Sequence, residues 1–428
     1  MSANASSRKF IYVLLDGIGD LPHPAFGNMT PLEAARTPNL DFLAKKGSMG
    51  NVLSVGRGIA PQSDIAVFNM LGYSFHDGTY VGRGVIESIG SGIEFRNGDL
   101  ALRGNFATVR DDLRIIDRRA GRNISERESR EICLSLNQNV KFSDVNANVQ
   151  VVPTIAHRVV IRFRHAKCAL SENISNTDPA YSRINGIGIA TPSADSESIL
   201  LSKAQDNSEA STASAKLLNE FTIQVVKLLK DHPVNQARSS LGLKPINGIL
   251  ARDPGTKYPH LEFMNKKYGL NIGSIVDMPV EVGISKVLGM KMFRAGGVQD
   301  YETKALVAAD KLSDLDGIYV HIKGPDEYGH DGDWQGKKRS IEVIDNSFFG
   351  PLLRKLDFQK TLFVISGDHS TPCIKNNHSD DPVPLLFSGD NMETDGSERF
   401  TESYAKKGSK GLMMGEQIIG QIIKILGR

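Results

Sequence analysis

The sequence predicts an α/β protein in which helices cover both faces of a largely parallel sheet, with a second, smaller α/β domain inserted into the first. Three short apolar runs, at residues 10–15, 317–322 and 361–366, stop abruptly and are followed closely by an acidic residue. Continuous apolar runs of this length are typical of strands buried on both faces. Stretches with helical periodicity lie between the runs, and the middle of the chain has a different pattern.

The helices expected to cover the sheet span residues 38–46, 301–311, 340–356 and 416–425. In the middle of the chain we expect strands at 105–109 and 158–163 and a Ser-rich surface loop at about 191–214. A helix should follow, with an apolar face formed by Leu217, Leu218, Phe221, Val225 and Leu229. A chain of 428 residues is too long for one ordinary core. We expect a first domain of residues 1–78 and 262–428 and an inserted domain of residues 79–261.

Composition limits the classes of partner and the compartment. The formal net charge is +2, from 51 Lys and Arg against 49 Asp and Glu, which argues against nucleic acid or a membrane surface as the main partner. The 3 cysteines have no C-x-x-C spacing, so neither a disulfide framework nor a thiolate zinc site is expected. No apolar run has the length of a signal core or a membrane span. We therefore expect a soluble cytoplasmic protein, whose oligomeric state the sequence leaves open.

Carboxylate and imidazole side chains follow the three predicted strands. Because ligands bind beyond the carboxyl ends of parallel strands, these side chains are expected to form one site. Each has an ordinary alternative, as a turn residue, a helix-dipole partner, a strand cap or a solvated histidine. Taken together they favour a site for Mn²⁺, Zn²⁺, Co²⁺ or, less well, Mg²⁺. The set is Asp16, Asp326, His330, Asp368, His369 and His378.

Ser63 precedes an apolar stretch at residues 65–71 that we interpret as a helix. Helix capping alone would explain a serine there. A serine at a helix start can also present its hydroxyl beside backbone N–H groups that favour a phosphate. A divalent metal would lower the pKa of this hydroxyl and make it a nucleophile.

Arginine is concentrated in the expected inserted domain. Guanidinium groups bind carboxylate and phosphate through two parallel hydrogen bonds, whereas the ordinary alternative is a solvated basic face. The arginines concerned are Arg114, Arg118, Arg119, Arg122, Arg158 and Arg252, and His157 directly precedes Arg158.

Six motifs together resemble the archaeal-type cofactor-independent phosphoglycerate mutases of the alkaline phosphatase superfamily, and the similarity runs nearly the whole length. They are D-G-I-G-D at 16–20, A-P-Q-S-D at 60–64, D-R-R-A-G-R at 117–122, N-T-D-P at 176–179, G-P-D-E-Y-G-H at 324–330 and G-D-H-S at 367–370. The resemblance implies an alkaline phosphatase-like sheet with helices on both faces, plus an inserted phosphotransferase domain. It also implies interconversion of 3-phosphoglycerate and 2-phosphoglycerate without 2,3-bisphosphoglycerate.

By position, the resemblance implies two divalent metal ions, with Mn²⁺ favoured. One would be held by Asp16, Ser63, Asp368 and His369, and the other by Asp326, His330 and His378. Ser63 would accept the phosphoryl group, and Asp178 and Arg252 would take part in catalysis. Substrate-binding candidates are His157, Arg118, Arg122 and Arg158. One motif departs from the family, since Asn176 and Ala180 stand where an acidic residue and a histidine are expected.

Two other classes of function stay open at this level. A metal-dependent phosphatase, or another phosphotransferase of the superfamily, would use the same serine on a small phosphorylated metabolite. A non-catalytic protein that binds phosphometabolites is the other, and it would show no turnover that depends on Ser63.

Overall fold

A computed structural model of the chain describes residues 8–75, 80–184, 187–190 and 198–428. These residues form two compact units. The first unit contains the described parts of Met1–Phe75, Glu262–Asp277 and Val287–Arg428, and the second contains those of His76–Leu261 and Met278–Lys286. The domain boundary expected at residue 78 lies outside the described residues.

The strands of the described chain, numbered in chain order, are β1 (Lys9–Leu15), β2 (Gly47–Leu53), β3 (Leu100–Val109), β4 (Ile115–Asp117), β5 (Ala147–Pro153), β6 (Arg158–His165), β7 (Tyr181–Ile184), β8 (Ile187–Ala190), β9 (Gly248–Gly255), β10 (Ile272–Ile275), β11 (Lys291–Met292), β12 (Gly317–Ile322), β13 (Thr361–Gly367), β14 (Val383–Ser388) and β15 (Leu412–Met414).

The α-helices, numbered in the same way, are α1 (Pro31–Ala34), α2 (Pro38–Lys45), α3 (Ser63–Met70), α4 (Arg83–Gly90), α5 (Glu126–Asn139), α6 (Glu209–Leu229), α7 (Pro233–Ser240), α8 (Met264–Tyr268), α9 (Pro279–Val287), α10 (Tyr301–Lys311), α11 (Pro325–His330), α12 (Trp334–Ile344), α13 (Gly350–Lys355), α14 (Glu402–Ala405) and α15 (Ile418–Leu426). A π-helical turn, Asp345–Phe349, joins α12 to α13.

The first unit is built on an eight-stranded sheet with the strand order β11-β10-β12-β1-β13-β14-β2-β15. Its pairs are parallel except where β14 runs antiparallel to β13 and β2. Ile11, Val13 and Leu15 of β1 belong to a core that includes residues of α2, α10, α12 and α13. On the opposite face of β1, the Tyr12 hydroxyl donates to the carbonyl of Met70 in α3 at 3.1 Å. The predicted α/β architecture, with helices on both faces, is therefore confirmed.

The second unit contains an antiparallel sheet with the order β4-β3-β6-β5, in which β9 also pairs with β3. Helix α6 packs on this sheet through the apolar face predicted from the sequence, and that face is buried. Phe163 of β6 meets Phe221 of α6 in an edge-to-face contact with ring centroids 5.5 Å apart. The helix begins at Glu209, so residues 209–214, which were predicted to belong to the Ser-rich loop, are helical. Residues 191–197 of that predicted loop lie outside the described residues. Ser208 caps the helix by accepting from the backbone N–H of Ser211.

Residues 278–286 belong to the second unit, although the sequence-based boundaries placed them in the first domain. Two glycines allow this packing. A Cβ at Gly90 would lie 1.7 Å from the carbonyl oxygen of Pro279, and one at Gly283 would lie 2.1 Å from that of Ile86. Helices α4 and α9 thus meet backbone to backbone. Among the described residues, no helix combines the length and apolar character needed to cross a membrane.

Candidate functional site

Three adjacent parallel strands of the first unit end at the same level of the sheet. Strand β1 lies between β12 and β13, and Leu15 is paired with Ile322 on one side and Gly367 on the other. Asp16 follows β1 directly and Asp368 follows β13 directly. Helix α11, which carries Asp326, begins shortly after β12. The side chains predicted from the strand ends therefore meet at one edge of the sheet.

Gly17 allows the turn after β1 to lie close to the other two strand ends. Its φ angle is +61°, in the region that favours glycine, and a Cβ there would lie 2.8 Å from Cα of Asp326. The backbone N–H of Gly17 donates to Oδ1 of Asp368 at 3.1 Å. A larger residue at position 17 would push the Asp16 turn away from both neighbours.

Asp16, Asp368 and His369 form the first group that could hold a metal ion. Nε2 of His369 lies 3.5 Å from Oδ1 of Asp16 and 3.4 Å from Oδ2 of Asp368. These two carboxylate oxygens are buried and accept no hydrogen bond within the described part of the chain. Buried carboxylate oxygens without a donor are costly, so this donor set fits a divalent cation.

The two carboxylates of this group have opposite pKa shifts. Burial, followed by repulsion from Asp16, raises the pKa of Asp368 to about 7. Burial by itself would raise the pKa of Asp16, but the charge of Lys323 and the contacts with His321 and His369 lower it well below its usual value. Lys323 Nζ lies 3.0 Å from Oδ2 of Asp16. A cation between the two carboxylates would remove their repulsion.

Asp326, His330 and His378 form the second group. Asp326 and His330 lie on one face of α11, which begins with Pro325 as predicted. The Nε2 atoms of the two histidines are 3.2 Å apart, and each lies within 3.6 Å of the Asp326 carboxylate. His378 Nδ1 lies 2.7 Å from the Pro61 carbonyl oxygen, and His330 Nδ1 lies 3.2 Å from the Asn376 carbonyl oxygen.

The carbonyl partners determine what the second group can bind. A carbonyl oxygen only accepts, so Nδ1–H of each histidine is the donor, and each neutral ring presents the lone pair of Nε2. The two Nε2 atoms are 3.2 Å apart, and their lone pairs repel each other unless a cation or a proton lies near both. This is the tautomer of a metal-binding histidine whose other ring nitrogen is held by a carbonyl.

The two groups are in contact with each other. The rings of His369 and His378 are stacked, with centroids 3.8 Å apart. The hydroxyl of Thr371 donates to Oδ1 of Asp326 at 2.6 Å and lies 3.1 Å from Nδ1 of His369. Because the Thr371 proton goes to Asp326, the hydroxyl oxygen accepts Nδ1–H of His369. This arrangement leaves the Nε2 lone pair of His369 facing Ser63 and the first carboxylate group.

Ser63 lies at the start of α3, with its Oγ atom 3.2 Å from Nε2 of His369. The N-cap position is occupied by Gln62, so Ser63 is the first residue of the helix rather than its cap. Burial, and then the neighbouring His378, lower the pKa of His369 well below its usual value. A neutral imidazole can accept a hydrogen bond from the Ser63 hydroxyl, which is largely buried.

The second unit brings together a separate group of charged residues. Asp178 is fully buried, and both of its carboxylate oxygens are paired with guanidinium groups. Its Oδ2 lies 2.8 Å from Nη1 of Arg252, and its Oδ1 accepts a hydrogen bond from Nη2 of Arg118. The Arg252 guanidinium also lies over the ring of Tyr181, 4.2 Å from its centroid. In this structure, therefore, Asp178 holds two arginines in place.

The remaining substrate-binding candidates lie in the same positive environment. Burial, followed by the charges of Arg158, Arg119, Arg252 and Arg122, lowers the pKa of His157 to about 3. A cavity of about 790 Å³ on this unit is lined by Arg118, Arg119, Arg122 and Lys244, among others. All six residues predicted for the inserted domain thus lie in a unit with an excess of guanidinium groups, which suits an anionic ligand.

The matching family model and several relatives of this chain carry the same name. The family model described as 2,3-bisphosphoglycerate-independent phosphoglycerate mutase matches residues 44–235. A protein of that name from Aeropyrum pernix is 41% identical over 432 residues, which cover 98% of this chain and 99% of the relative. One from Pyrococcus abyssi is 33% identical, covering 98% of each chain.

The chain belongs to the 2,3-bisphosphoglycerate-independent phosphoglycerate mutase family. Two solved structures share its fold. A protein from Pyrococcus horikoshii superposes with a TM-score of 0.79 at 28% identity, covering 98% of both chains. The cofactor-independent phosphoglycerate mutase from Thermoplasma acidophilum gives a TM-score of 0.64 at 28% identity, covering 98% of this chain and all of that one.

In this phosphoglycerate mutase homologue, two residues of the site lie outside the motifs recognised in the sequence. Lys323 is paired with Asp16, and His321 lies 3.8 Å from both Asp16 and Asp368. His321 lies within β12, where the side chains are buried, and Lys323 is the first residue after the strand. A histidine near the end of an otherwise apolar strand, with a lysine directly after the strand, was the available signal, because such residues are seldom placed there without a partner.

Lys337 connects two turns of the site, and its removal is expected to destabilise the first unit. Its buried Nζ donates to Oδ2 of Asp20 at 2.8 Å, to the Gly19 carbonyl at 3.0 Å and to the Thr371 carbonyl at 2.9 Å. We expect Lys337→Met to lower the free energy of unfolding by about 3–5 kcal/mol, because it leaves a buried carboxylate without its cation. Urea unfolding measures the loss.

The neighbouring lysine provides the control for this prediction. Lys338 pairs with Glu342 at 2.8 Å on the surface of the same helix. Lys338→Met should cost less than about 1 kcal/mol. Equal losses for the two variants would show that the buried contacts of Lys337 contribute nothing specific.

Proposed function

We propose that this chain interconverts 3-phosphoglycerate and 2-phosphoglycerate through a phosphoserine at Ser63, independently of 2,3-bisphosphoglycerate. Nearly full-length relatives carry the name of this activity. The observation that carries the proposal is the position of Ser63, whose Oγ lies 3.2 Å from His369 beside two groups that could each hold a metal ion. The enzyme would be cytoplasmic, in keeping with its free cysteines.

Two divalent cations fit the donor set, and Mn²⁺ is the one we favour. Asp16, Asp368 and His369, with Ser63, would hold the first, and Asp326, His330 and His378 the second. When bound, such cations favour the deprotonated serine hydroxyl and neutralise phosphoryl oxygens. The chain's own residues orient this set, since Thr371 fixes the His369 tautomer and Lys323 holds Asp16 charged.

The transfer itself requires the phosphoryl group to leave one hydroxyl of glycerate, reside on Ser63 and return to the other hydroxyl. Ser63 Oγ attacks phosphorus, and the bond to the glycerate oxygen breaks as that oxygen takes a proton. In the return step the second hydroxyl of glycerate gives up a proton and attacks the phosphoserine. Water must be excluded meanwhile, because its attack would release inorganic phosphate.

The second unit would supply the substrate contacts. We propose that Arg118, Arg122, Arg158 and His157 bind the anionic groups of phosphoglycerate, with Arg252 and Asp178 as catalytic partners. The paired arginines around Asp178 support this role, because guanidinium groups held in place bind carboxylate and phosphate without further ordering. In this unit the buried Asp178 is also the candidate for moving a proton between the hydroxyls.

The mutase assay with and without chelator tests the proposal. Purified protein is incubated with 3-phosphoglycerate, and formation of 2-phosphoglycerate and of inorganic phosphate are both followed. We expect activity that EDTA abolishes and that Mn²⁺ or Co²⁺ restores best, because the donor set mixes carboxylate and imidazole. Added 2,3-bisphosphoglycerate should leave the rate unchanged.

The same assay separates the alternatives. Release of inorganic phosphate without 2-phosphoglycerate would overturn the mutase proposal in favour of a phosphatase. A rate that rises only with added 2,3-bisphosphoglycerate would contradict the phosphoserine route. Full activity in EDTA after exhaustive dialysis would exclude the proposed metal ligands as catalytic groups.

A further inference from the structure

A cysteine, a histidine and an aspartate form a separate cluster in the second unit, at the end of the β5–β6 hairpin. Sγ of Cys168 lies 2.9 Å from Nδ1 of His165, and Nε2 of the same ring lies 3.0 Å from Oδ2 of Asp144. Cys168 is exposed, whereas the His165 side chain is only 10% exposed. A thiol is thus accessible while the imidazole beside it is largely shielded.

The surrounding backbone determines the tautomer of His165. The N–H groups of Lys167 and Cys168 donate to Nδ1 at 3.3 and 3.1 Å. Because these groups only donate, Nδ1 carries the lone pair, and the ring proton is on Nε2, which donates to Asp144. The nitrogen next to the thiol is therefore the one that can accept its proton.

Asp144 is itself held in position. Its Oδ1 accepts from the backbone N–H and the side-chain amide of Asn146, both at 2.9 Å. These hydrogen bonds, first that of the Asn146 backbone and then that of His165, lower the pKa of Asp144 to about 2. The carboxylate is charged at neutral pH, and its Oδ2 is left to orient His165.

The arrangement is a relay rather than a metal cage. The thiol and the carboxylate contact opposite nitrogens of one ring, so the three side chains do not converge on a common point. The other two cysteines differ from Cys168 because both are buried. Burial raises the pKa of Cys133 to about 12, and burial with nearby Asp20 does the same for Cys373.

We propose that Cys168 is a thiol-modification site that forms a mixed disulfide with low-molecular-weight disulfides, with His165 as the base and Asp144 as its orienting group. The thiol proton moves to Nδ1 of His165 as the sulfur attacks one sulfur of the disulfide. The disulfide bond breaks, and the leaving thiolate takes the proton from Nδ1. One protein thiol and one disulfide thus become one mixed disulfide and one free thiol.

The backbone favours rapid transfer of that proton to the leaving group. Protonated Nδ1 would face the two N–H donors of residues 167 and 168, which is unfavourable. The proton is therefore held at Nδ1 only during the exchange. His165→Asn is a suitable test, since the amide oxygen can still accept from these backbone donors but is no base.

The experiment uses the full chain with its metal ions and the neutral probe 4,4′-dithiodipyridine, with mass spectrometry to assign the modified cysteine. We expect Cys168 to react at least about 10-fold faster in the native protein than in concentrated urea, where the relay is absent. His165→Asn should remove this difference, and Cys168→Ser should remove the fast reaction itself.

His232→Asn is the matched control, because His232 also accepts a backbone N–H through Nδ1 but lies at the start of α7. Its rate at Cys168 should equal that of the native chain. The proposal is overturned if native Cys168 reacts no faster than in urea, or if His165→Asn keeps the native ratio. Each rate is normalised to that of the unfolded chain. A variant that loses its fold is recognised separately, because the buried Cys133 then also reacts.

Discussion

Ser63→Ala is expected to lower the interconversion of 3-phosphoglycerate and 2-phosphoglycerate by about 10⁴-fold or more, because the phosphoryl group then has no acceptor on the chain. The Ser63 hydroxyl faces Nε2 of His369 at 3.2 Å, and alanine would leave that nitrogen without its partner. A coupled enolase assay measures the loss of turnover. Rapid quenching with labelled substrate should find phosphoserine in the native chain and none in the variant.

Metal content distinguishes loss of the nucleophile from loss of the site. Three other ligands of the first group remain in Ser63→Ala, so we expect at least one tightly bound ion per chain by elemental analysis. Ser208→Ala is the matched control, since Ser208 caps α6 in the second unit. It should cost about 1 kcal/mol of stability and leave turnover unchanged. If Ser63→Ala kept native turnover, the phosphoserine route would be wrong.

The first unit was predictable because its strands bury both faces. An apolar run in β1, β12 or β13 needs no long-range information to be recognised, and each strand end brings its acidic residue to the same edge. The set of carboxylates and imidazoles could therefore be proposed from spacing, whereas its division into two groups followed from the family resemblance. The tautomers of His330 and His378 could not, since they depend on carbonyl groups of residues far away in the sequence.

The second unit was harder to predict because its strands lack that pattern. Strand β9 contains Asp253, Pro254 and Gly255, residues that are unfavourable in strands, yet it is buried throughout. Its conformation is determined by pairing with β3. The Asp178–Arg252 ion pair likewise joins residues 74 positions apart, and it is accompanied by a hydrogen bond from the N–H of Asp178 to the Ala251 carbonyl.

The departure from the family motif at Asn176 has a physical explanation in the hydrogen bonds of its side chain. Asn176 donates its side-chain amide to the Tyr181 carbonyl and accepts the backbone N–H of Asp253, and so connects the Asp178 turn to β9. An amide can make both of these hydrogen bonds, whereas a carboxylate can only accept. The asparagine thus serves the structure of this unit even though the sequence motif predicts an acid there.

Asp368→Asn should have opposite effects on metal-dependent activity and on the stability of the metal-free protein. We expect activity to fall by more than about 100-fold, since Oδ2 of Asp368 is a predicted metal ligand and an amide binds divalent cations less well than a carboxylate. In EDTA at pH 8 the variant should unfold at a higher temperature than the native chain. The reason is that the neutral amide removes the repulsion between two buried carboxylates.

The pH dependence of the metal-free protein has a defined sign. The pKa of Asp368 is about 7 in the folded chain, above its ordinary value of 3.8. Between these two values the folded state binds more protons than the unfolded state, so native stability falls as pH rises through this window. The variant cannot ionise at this position, so its advantage in EDTA should be largest above pH 7 and disappear below about pH 4. Thermal unfolding at several pH values measures both curves.

A second buried aspartate shows whether these effects belong to the site. Asp345 accepts from the backbone N–H groups of Leu40 and Asn39 at 2.8 and 3.2 Å, and it lies outside the two groups that could hold a metal ion. Asp345→Asn should lose stability with or without EDTA, because its carboxylate already has hydrogen-bond donors. It should keep its metal content, because Asp345 belongs to neither of the two groups. Asp368 lacks a donor at Oδ2 in the described part of the chain, so its amide variant should lose the cation and gain stability only in its absence. A metal-free Asp368→Asn protein that is less stable than the native chain at pH 8 would mean that the two carboxylates do not repel each other as this geometry requires.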